Sequence, residues 1–576
     1  MITLGSCPKA YHKDLDKACS PRETVARVQE SLAKSGQHIL AESRRIDTGR
    51  LGIPVFMSIC GEDARKVMPG RQQMGKGASP DQAEASALME LIERYGFFTL
   101  WKDTSRFTSM TWSQAVHAFG QDLIPIEHIL ASVGDSSSPQ QGAAILDLVQ
   151  WRFCKAFDLT LNREVMVPLD WFRQINEYNG SSAGNTDTES ILQALCELVE
   201  RHVSALADRN HPLLPTIAIQ PDDDPVLVDL VDKFHAQGIK LFLKDMTCGM
   251  PLPTVAALAY DPTTFPTTSE IVFTAGTATS PAKAAIRALT EVAQLAGDFA
   301  SKTMYEPSGL SKYTRLEETA WLSQGPRCTL NDLPSLASQD MGHELQHAVR
   351  ALADQGYSVY SVATTVTTLG IPSHYTFVPG FAFRERTPSA SLGMLTGKHI
   401  LATCSPDEAE GLLNRLEGLC PQAHFLPFFQ AQLAASQGDH TRAFHLFALS
   451  EGLQPDEEQR ALAAFYQGHC LTLQEDWAGA VPHLERAVSL QQDVKEYHNL
   501  HGVALFKLGH FDHAASCFQK ALALDPGSAM DMANLGLCYE KTGKTDQAIT
   551  CLEEAVSIDP SIEFAWKHLM ELTSRS

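Results

Sequence analysis

Six side chains at matched spacing could do chemistry in this chain. Residues 87–94 read A-L-M-E-L-I-E-R, residues 194–201 read A-L-C-E-L-V-E-R, and residues 288–295 read A-L-T-E-V-A-Q-L. Each block carries Glu at its fourth position and Glu or Gln at its seventh, in an apolar frame. On a helix, positions three apart share a face. Glu90/Glu93, Glu197/Glu200 and Glu291/Gln294 therefore form short polar stripes flanked by residues that seek a core. A single such helix reads as a solvated surface face, but three in dense apolar surroundings do not. Carboxylates held together away from water are costly to keep charged. They call for a counter-charge, and metal ions with phosphates fit.

The stripes extend beyond the acids, to Ser86 before Glu90, Glu189 before Glu197 and Arg287 before Glu291. The segments that must position these helices look like anion sites. Ser79-Pro80 and Ser280-Pro281 each pair an N-cap with proline at the first helical position, and Gln82 completes a candidate capping box. Gly75-Lys76-Gly77 precedes the first helix, and Ser181-Ser182-Ala183-Gly184-Asn185-Thr186 precedes the second. Small residues there let backbone N–H groups approach a phosphate. Glu189 has a second reading, as the return arm of a Thr186 capping box.

Residues 1–400 mix amphipathic helices with strand candidates at 53–59, 253–259, 271–274 and 358–366, which predicts an α+β body. From about 405 to 576 the pattern is helix after helix. Asp525-Pro526 and Asp559-Pro560 lie 34 residues apart, and 508–514 (L-G-H-F-D-H-A) aligns with 542–548 (T-G-K-T-D-Q-A). A third unit ends at 490–492 and a looser one runs from about 424 to Pro455. Gly502, Ala504 and Gly536 are small enough to let paired helices approach. This region is identified as an all-α tetratricopeptide-like repeat domain.

The ordered blocks resemble the YcaO family, whose signature joins a GKG loop to S-x-x-x-E-x-x-E-R, then an Asn-bearing loop to E-x7-E-x-x-E-R, then R-x-x-x-E-x-x-Q. The match spans roughly residues 10–390. The resemblance implies an ATP-binding fold without a Walker loop. It implies ATP- and Mg2+-dependent activation of a backbone amide in a peptide or protein, with the amide oxygen phosphorylated and lost as phosphate. It further implies Glu90, Glu93, Glu197 and Glu200 as magnesium ligands and Ser86, Asn185, Glu189 and Arg287 as nucleotide contacts. Lys17 and Thr24, in K-A-C-S-P-R-E-T, match a further nucleotide-contacting pair. Glu90, Glu200 and Arg287 would act in the chemical step. A nucleophile from a side chain, external sulfide or an amine would give an azoline, a thioamide or an amidine. The Pro-rich tail of azoline-forming members is missing, which favours thioamide or related modification. Helical repeats after the body are similar to family members linked to methylthiolation of a small-subunit ribosomal protein. A TfuA-like partner and a homodimer are further implications.

Other patterns are set aside. His343-Glu344-Leu345-Gln346-His347 has the form of a zinc-protease helix, but Arg350 stands where the longer signature needs Gly, and no Glu occurs between 348 and 384. It reads as a surface helix before the strand at 358–366. Gly70-x4-Gly75-Lys76 falls short of a P-loop because Gly77 stands where Ser or Thr would bind magnesium. A di-iron bundle would need Glu-x-x-His. The net charge of −22 argues against nucleic acid as main partner. The 13 cysteines lack a CxxC pair and read as reduced thiols in a cytoplasm. Neither a membrane span nor a signal peptide is visible. Two rival functions stay open: a nucleotide-binding scaffold acting through its repeats, and a metal-dependent hydrolase.

Overall fold

The computed structural model describes residues 2, 4–10, 17–296, 299, 312–384 and 390–574. The chain divides into two compact units. One comprises residues 1–143 and 150–390, the other residues 144–149 and 391–576.

Among the described residues, the first unit holds three sheets. A three-stranded antiparallel sheet runs in the order Leu40–Arg45, Val55–Cys60, Gln72–Lys76. A five-stranded sheet runs Val272–Thr277, Thr254–Tyr260, Lys240–Asp245, Thr216–Ile217, Arg327–Cys328, antiparallel but for its last, parallel pair. The third sheet runs Thr108–Met110, Trp151–Asp158, Tyr360–Ala363, Ser373–Phe377, Ser181–Ala183, with Arg163–Pro168 on the other side of Trp151–Asp158. The four strand candidates appear as Val55–Cys60, Thr254–Tyr260, Val272–Thr277 and the shorter Tyr360–Ala363. Thr254–Tyr260 and Val272–Thr277 are almost wholly buried, which explains their continuous apolar or small-residue sequences.

Each stripe-bearing helix leaves the edge strand of a different sheet. Pro80–Leu100 follows Gln72–Lys76, Asp187–Asn210 follows Ser181–Ala183, and Pro281–Ala296 follows Val272–Thr277. Each also buries its apolar side in a different core. Leu88, Leu91, Ile92 and Tyr95 join one cluster, Ile191, Leu195 and Leu198 a second, and Ile286, Leu289 and Val292 a third. Full burial of such a side chain is worth about 2 kcal/mol. The polar positions between them stay only half-buried, because they face the space where the three helices meet.

The second unit is all helix, from Leu392–Thr403 to Glu563–Thr573. Its 34-residue period appears in the packing. A Cβ added at Gly468, Gly502 or Gly536 would lie 2.6–2.9 Å from Leu484, Phe518 or Leu552, which are themselves 34 residues apart. Ala504 is fully buried. Among the described residues no helix is long and apolar enough to cross a membrane, and none of the 13 cysteines is in a disulfide.

Candidate active site

The first and third stripe helices are set by close backbone contact. A Cβ on Gly75 would lie 2.4 Å from the Ala83 carbonyl oxygen and 2.0 Å from the Ala87 nitrogen. On Gly276 it would lie 2.4 Å from the Ala284 oxygen and 2.5 Å from the Ala288 nitrogen. Only glycine lets strand and helix approach so closely. At the first helix, Ser79 Oγ accepts the Gln82 N–H at 3.4 Å, while Gln82 Oε1 accepts from Ala78 N–H at 2.8 Å. The expected box is displaced by one residue. At the second helix, Thr186 Oγ1 accepts the Glu189 N–H at 3.1 Å, but the Glu189 carboxylate makes no return bond. It accepts instead from Asn185 Nδ2 at 3.2 Å and from Ala18 N–H at 3.1 Å, with Lys17 Nζ at 3.9 Å. The capping alternative for Glu189 therefore fails, and its carboxylate faces the space between the helices.

That space is a cavity of about 360 Å3, entirely within the first unit. Lys17, Thr24, Ser86, Glu90, Glu93, Asn185, Glu189, Glu197, Glu200 and Arg287 all line it. Thr24 and Asn185 are buried and share a hydrogen bond at 3.1–3.3 Å, and Arg27 Nη1 donates to the Asn185 carbonyl at 2.7 Å. Glu93 accepts from Ser181 Oγ at 3.1 Å, Glu200 from the Thr277 N–H at 3.0 Å, and Gln193 from Arg287 Nη1 at 2.8 Å. Arg94 lies 3.5 Å from Glu93 and 3.8 Å from Glu90, with its guanidinium 4.2 Å over the Tyr178 ring. Arg201 lies 4.0 Å from Glu197.

These cations only partly balance the carboxylates. Burial pushes the Glu93 carboxyl up to about 8; Arg94 opposes the rise, while Glu197 and Glu90 add to it. Burial also raises Glu197, against Arg201 and Arg94. Both shifts disfavour the bare carboxylate pair, and a bound cation would relieve them. Among the described residues, no three His, Cys, Asp or Glu side chains converge closely enough to hold a metal alone. Magnesium typically uses one or two carboxylates and completes its shell with phosphate oxygens and water. The half-buried carboxylates from two helices suit that mode.

Several lining residues carry no assigned role from the sequence. Lys76 forms an ion pair with Glu291, and burial lowers its ammonium to about 8. Lys9, Cys19, Gln193, Lys283, Met341 and Glu344 also line the cavity. Glu291, Lys76 and Arg94 stood inside the quoted blocks, so their pattern was available. Lys9 and Gln193 had no such signal. The helix at 343–347 is not a plain surface helix. Met341–Asp354 buries Met341, Glu344, Leu345 and Ala348, while His343 and His347 are exposed. Glu344 pairs with Lys9 at 2.7 Å. Gln72–Lys76 is a strand, not a phosphate loop.

The family model described as YcaO cyclodehydratase, ATP- and Mg2+-binding, matches residues 74–382, more than half of the chain. The chain belongs to the YcaO family. ATP and Mg2+ are the cofactors of this YcaO domain, and the chain is an enzyme of the YcaO class. Tetratricopeptide-repeat models match residues 496–528 and 532–562. An uncharacterized protein of Methanothermobacter thermautotrophicus is 28% identical over 389 residues, covering 63% of this chain and 94% of its own. The Escherichia coli ribosomal protein S12 methylthiotransferase accessory factor YcaO is 26% identical over 215 residues, 33% of this chain and 35% of that protein. A solved heterocyclase in complex with substrate and cofactor aligns with a TM-score of 0.53 at 21% identity, covering 66% of this chain. The chain spans about half (54%) of that heterocyclase, so the likeness is one of fold.

Proposed function

We propose that this YcaO enzyme uses ATP and Mg2+ to activate a backbone amide of a peptide or protein by O-phosphorylation, leading to a thioamide or related modification. One observation carries the reading. Four carboxylates from two helices, the Arg287 side chain from a third and the buried Thr24–Asn185–Glu189 set all face one cavity. When bound, ATP supplies the phosphoryl group that makes the amide oxygen a leaving group, and Mg2+ supplies charge neutralisation at the phosphates. Glu90, Glu93, Glu197 and Glu200 would hold the metal. Lys17, Thr24, Ser86, Asn185, Glu189 and Arg287 would bind and orient the nucleotide.

The chain's own residues supply the preorganisation. Ser181 and the Thr277 N–H hold Glu93 and Glu200 in place. Gln193 holds the Arg287 guanidinium where it lines the cavity, so charge developing on a transferring phosphoryl group would meet a fixed cation. The helical repeats would hold a segment of the substrate or of a partner, as stacked helical hairpins commonly do. A TfuA-like partner delivering sulfide and a second copy of the chain are the assemblies this reading would add.

The test is calorimetric titration of Mg-ATP into the full chain and into Glu90→Gln and Glu200→Gln variants. Binding by the wild type and a loss of about 100-fold in each variant is expected. Wild-type affinity in both variants would remove the metal site from this cavity. Metal-dependent turnover without ATP would favour a hydrolase instead.

A further inference from the structure

The described N-terminal stretch, residues 4–10 and 17–20, lies outside the segment matched by the family model, yet Lys9, Lys17 and Cys19 line the cavity. What keeps it there is the start of the helix Met341–Asp354. The Asp340 carboxylate accepts from Cys7 N–H at 2.9 Å, from Ser6 Oγ and from Gly342 N–H at 2.7 Å. Cys7 O accepts from Met341 N–H at 2.9 Å, and Lys9 N–H donates to Gln339 O at 3.0 Å. Gly342 is the point of closest approach, since a Cβ there would lie 2.4 Å from Gly5 O. Lys9 Nζ meets Glu344 Oε1 at 2.7 Å, with both side chains almost completely buried (5% and 2% exposed). The Ser338 N–H donates to the same Glu344 oxygen at 2.9 Å.

The hydrogen bonds continue from this clamp to the nucleotide set. Ala10 N–H donates to Lys17 O at 3.0 Å, and Ala18 N–H donates to Glu189 at 3.1 Å. Cys7 Sγ lies 3.3 Å from Thr186 Oγ1, the cap of the helix that carries Glu189 and Glu197.

We infer that Asp340, Glu344 and Lys9 are positioning residues of the nucleotide site: they clamp the N-terminal strap so that Lys17, Ala18 and Thr24 meet Glu189 and Asn185. The inference rests on the cavity being the nucleotide site. Two linked consequences follow. Loosening the clamp weakens Mg-ATP binding without touching a metal carboxylate. By reciprocity, Mg-ATP tightens the clamp and protects the strap. A buried ion pair is costly to leave half-made, so Lys9→Met is the sharp variant and Lys9→Arg the conservative one.

The experiment is Mg-ATP titration of the full chain as wild type, Glu90→Gln, Lys9→Met, Lys9→Arg and Asp340→Asn, with nucleotide-free melting curves and limited proteolysis of each. Lys9→Met and Asp340→Asn are expected to weaken binding by about tenfold, with Lys9→Arg recovering most of it. Mg-ATP is expected to slow cleavage within residues 4–10 in the wild type but not in Lys9→Met. Wild-type affinity in Lys9→Met and Asp340→Asn, while Glu90→Gln loses binding, would overturn the inference. So would a loss that follows the fall in melting temperature and that Lys9→Arg does not recover. A wild type that binds no Mg-ATP would instead sink the nucleotide reading itself.

Discussion

Gly75 stands five residues before Pro80, and Gly276 stands five before Pro281. An added Cβ would strike Ala83 and Ala87 in the first case and Ala284 and Ala288 in the second, the same offsets along the chain. In both hairpins the residue four after the serine cap donates its N–H to the serine carbonyl at 3.0 Å. This shared register places Ser86, Glu90 and Glu93 of one hairpin opposite Arg287, Glu291 and Gln294 of the other in sequence offset. Lys76, one residue past Gly75, corresponds to Thr277, one residue past Gly276. Backbone contact thus sets where a stripe points, and the stripe's residue types decide what it does there. One hairpin contributes two acids. The other contributes a cation, one acid already balanced by Lys76, and a neutral amide.

The strongest way to break the comparison is to fill the glycines. Gly75→Ala and Gly276→Ala each place a methyl against helix backbone, which cannot yield as a side-chain tip can. Each is expected to cost about 2–3 kcal/mol and to abolish Mg-ATP binding. Gly70→Ala, whose nearest neighbour is the Gln73 amide at 3.4 Å, serves as the near-neutral control in chemical denaturation. If only one of the first two is severe, the hairpins are not mechanically equivalent.

Making the stripes alike sharpens it. Glu93→Gln gives the first hairpin the amide that the second carries as Gln294. It is expected to weaken Mg-ATP binding by about tenfold or more. It should also raise the melting temperature of the empty protein at pH 8 by on the order of 2 °C. The sign follows from the raised folded-state pKa. The folded carboxyl holds its proton up to about pH 8, whereas the unfolded one loses it near its ordinary value, 4.5. The empty protein therefore loses stability as pH rises between these values. Glutamine removes that penalty. A melting temperature lowered at pH 8 would show that Glu93 is held by more than its crowding.

The same group gives binding a pH dependence. With Glu93 as the proposed ligand, Mg2+ would have to displace its proton, and burial raises Glu197 in the same direction. Magnesium-dependent ATP affinity should therefore rise from pH 6 to about pH 8.5 and then level. The slope should flatten in Glu93→Gln. An unchanged slope in that variant would assign the proton elsewhere.

The smallest expected effect comes from Lys76→Thr, which copies Thr277 into the first hairpin. It leaves Glu291 without its ion-pair partner. Both side chains retain some solvent contact, and the burial that lowers the Lys76 ammonium offsets part of the attraction, so the net change should stay within about 1 kcal/mol. Thermal unfolding at low and high salt checks it: the wild type should lose part of the difference at high salt, and the variant should not.

Much of this was legible in the chain because it is periodic. The three blocks announce helices with polar stripes, Ser-Pro marks two of their starts, and the 34-residue spacing of Asp-Pro marks the repeats. Local geometry alone determines such features, since helix period, capping and hairpin length are properties of neighbouring residues. The displaced box at Gln82 and the unreturned bond at Glu189 show where local rules stop. In both cases a partner outside the four-residue unit competes, and for Glu189 the partners include Ala18, distant in sequence.

The sequence by itself determined which residue types lie on one face of each helix, and its likeness to the YcaO family determined their roles as expectations. Only the tertiary structure decided that helices launched from the edges of three separate sheets turn those faces toward one cavity. It also decided that the strap at Lys9 is clamped by Asp340 and Glu344 into its wall. The reason is physical. A stripe's direction depends on strand-to-helix approach distances and on which core each helix buries, and both are long-range packing outcomes. A lysine and a glutamate more than three hundred residues apart carry no local sign that they will meet.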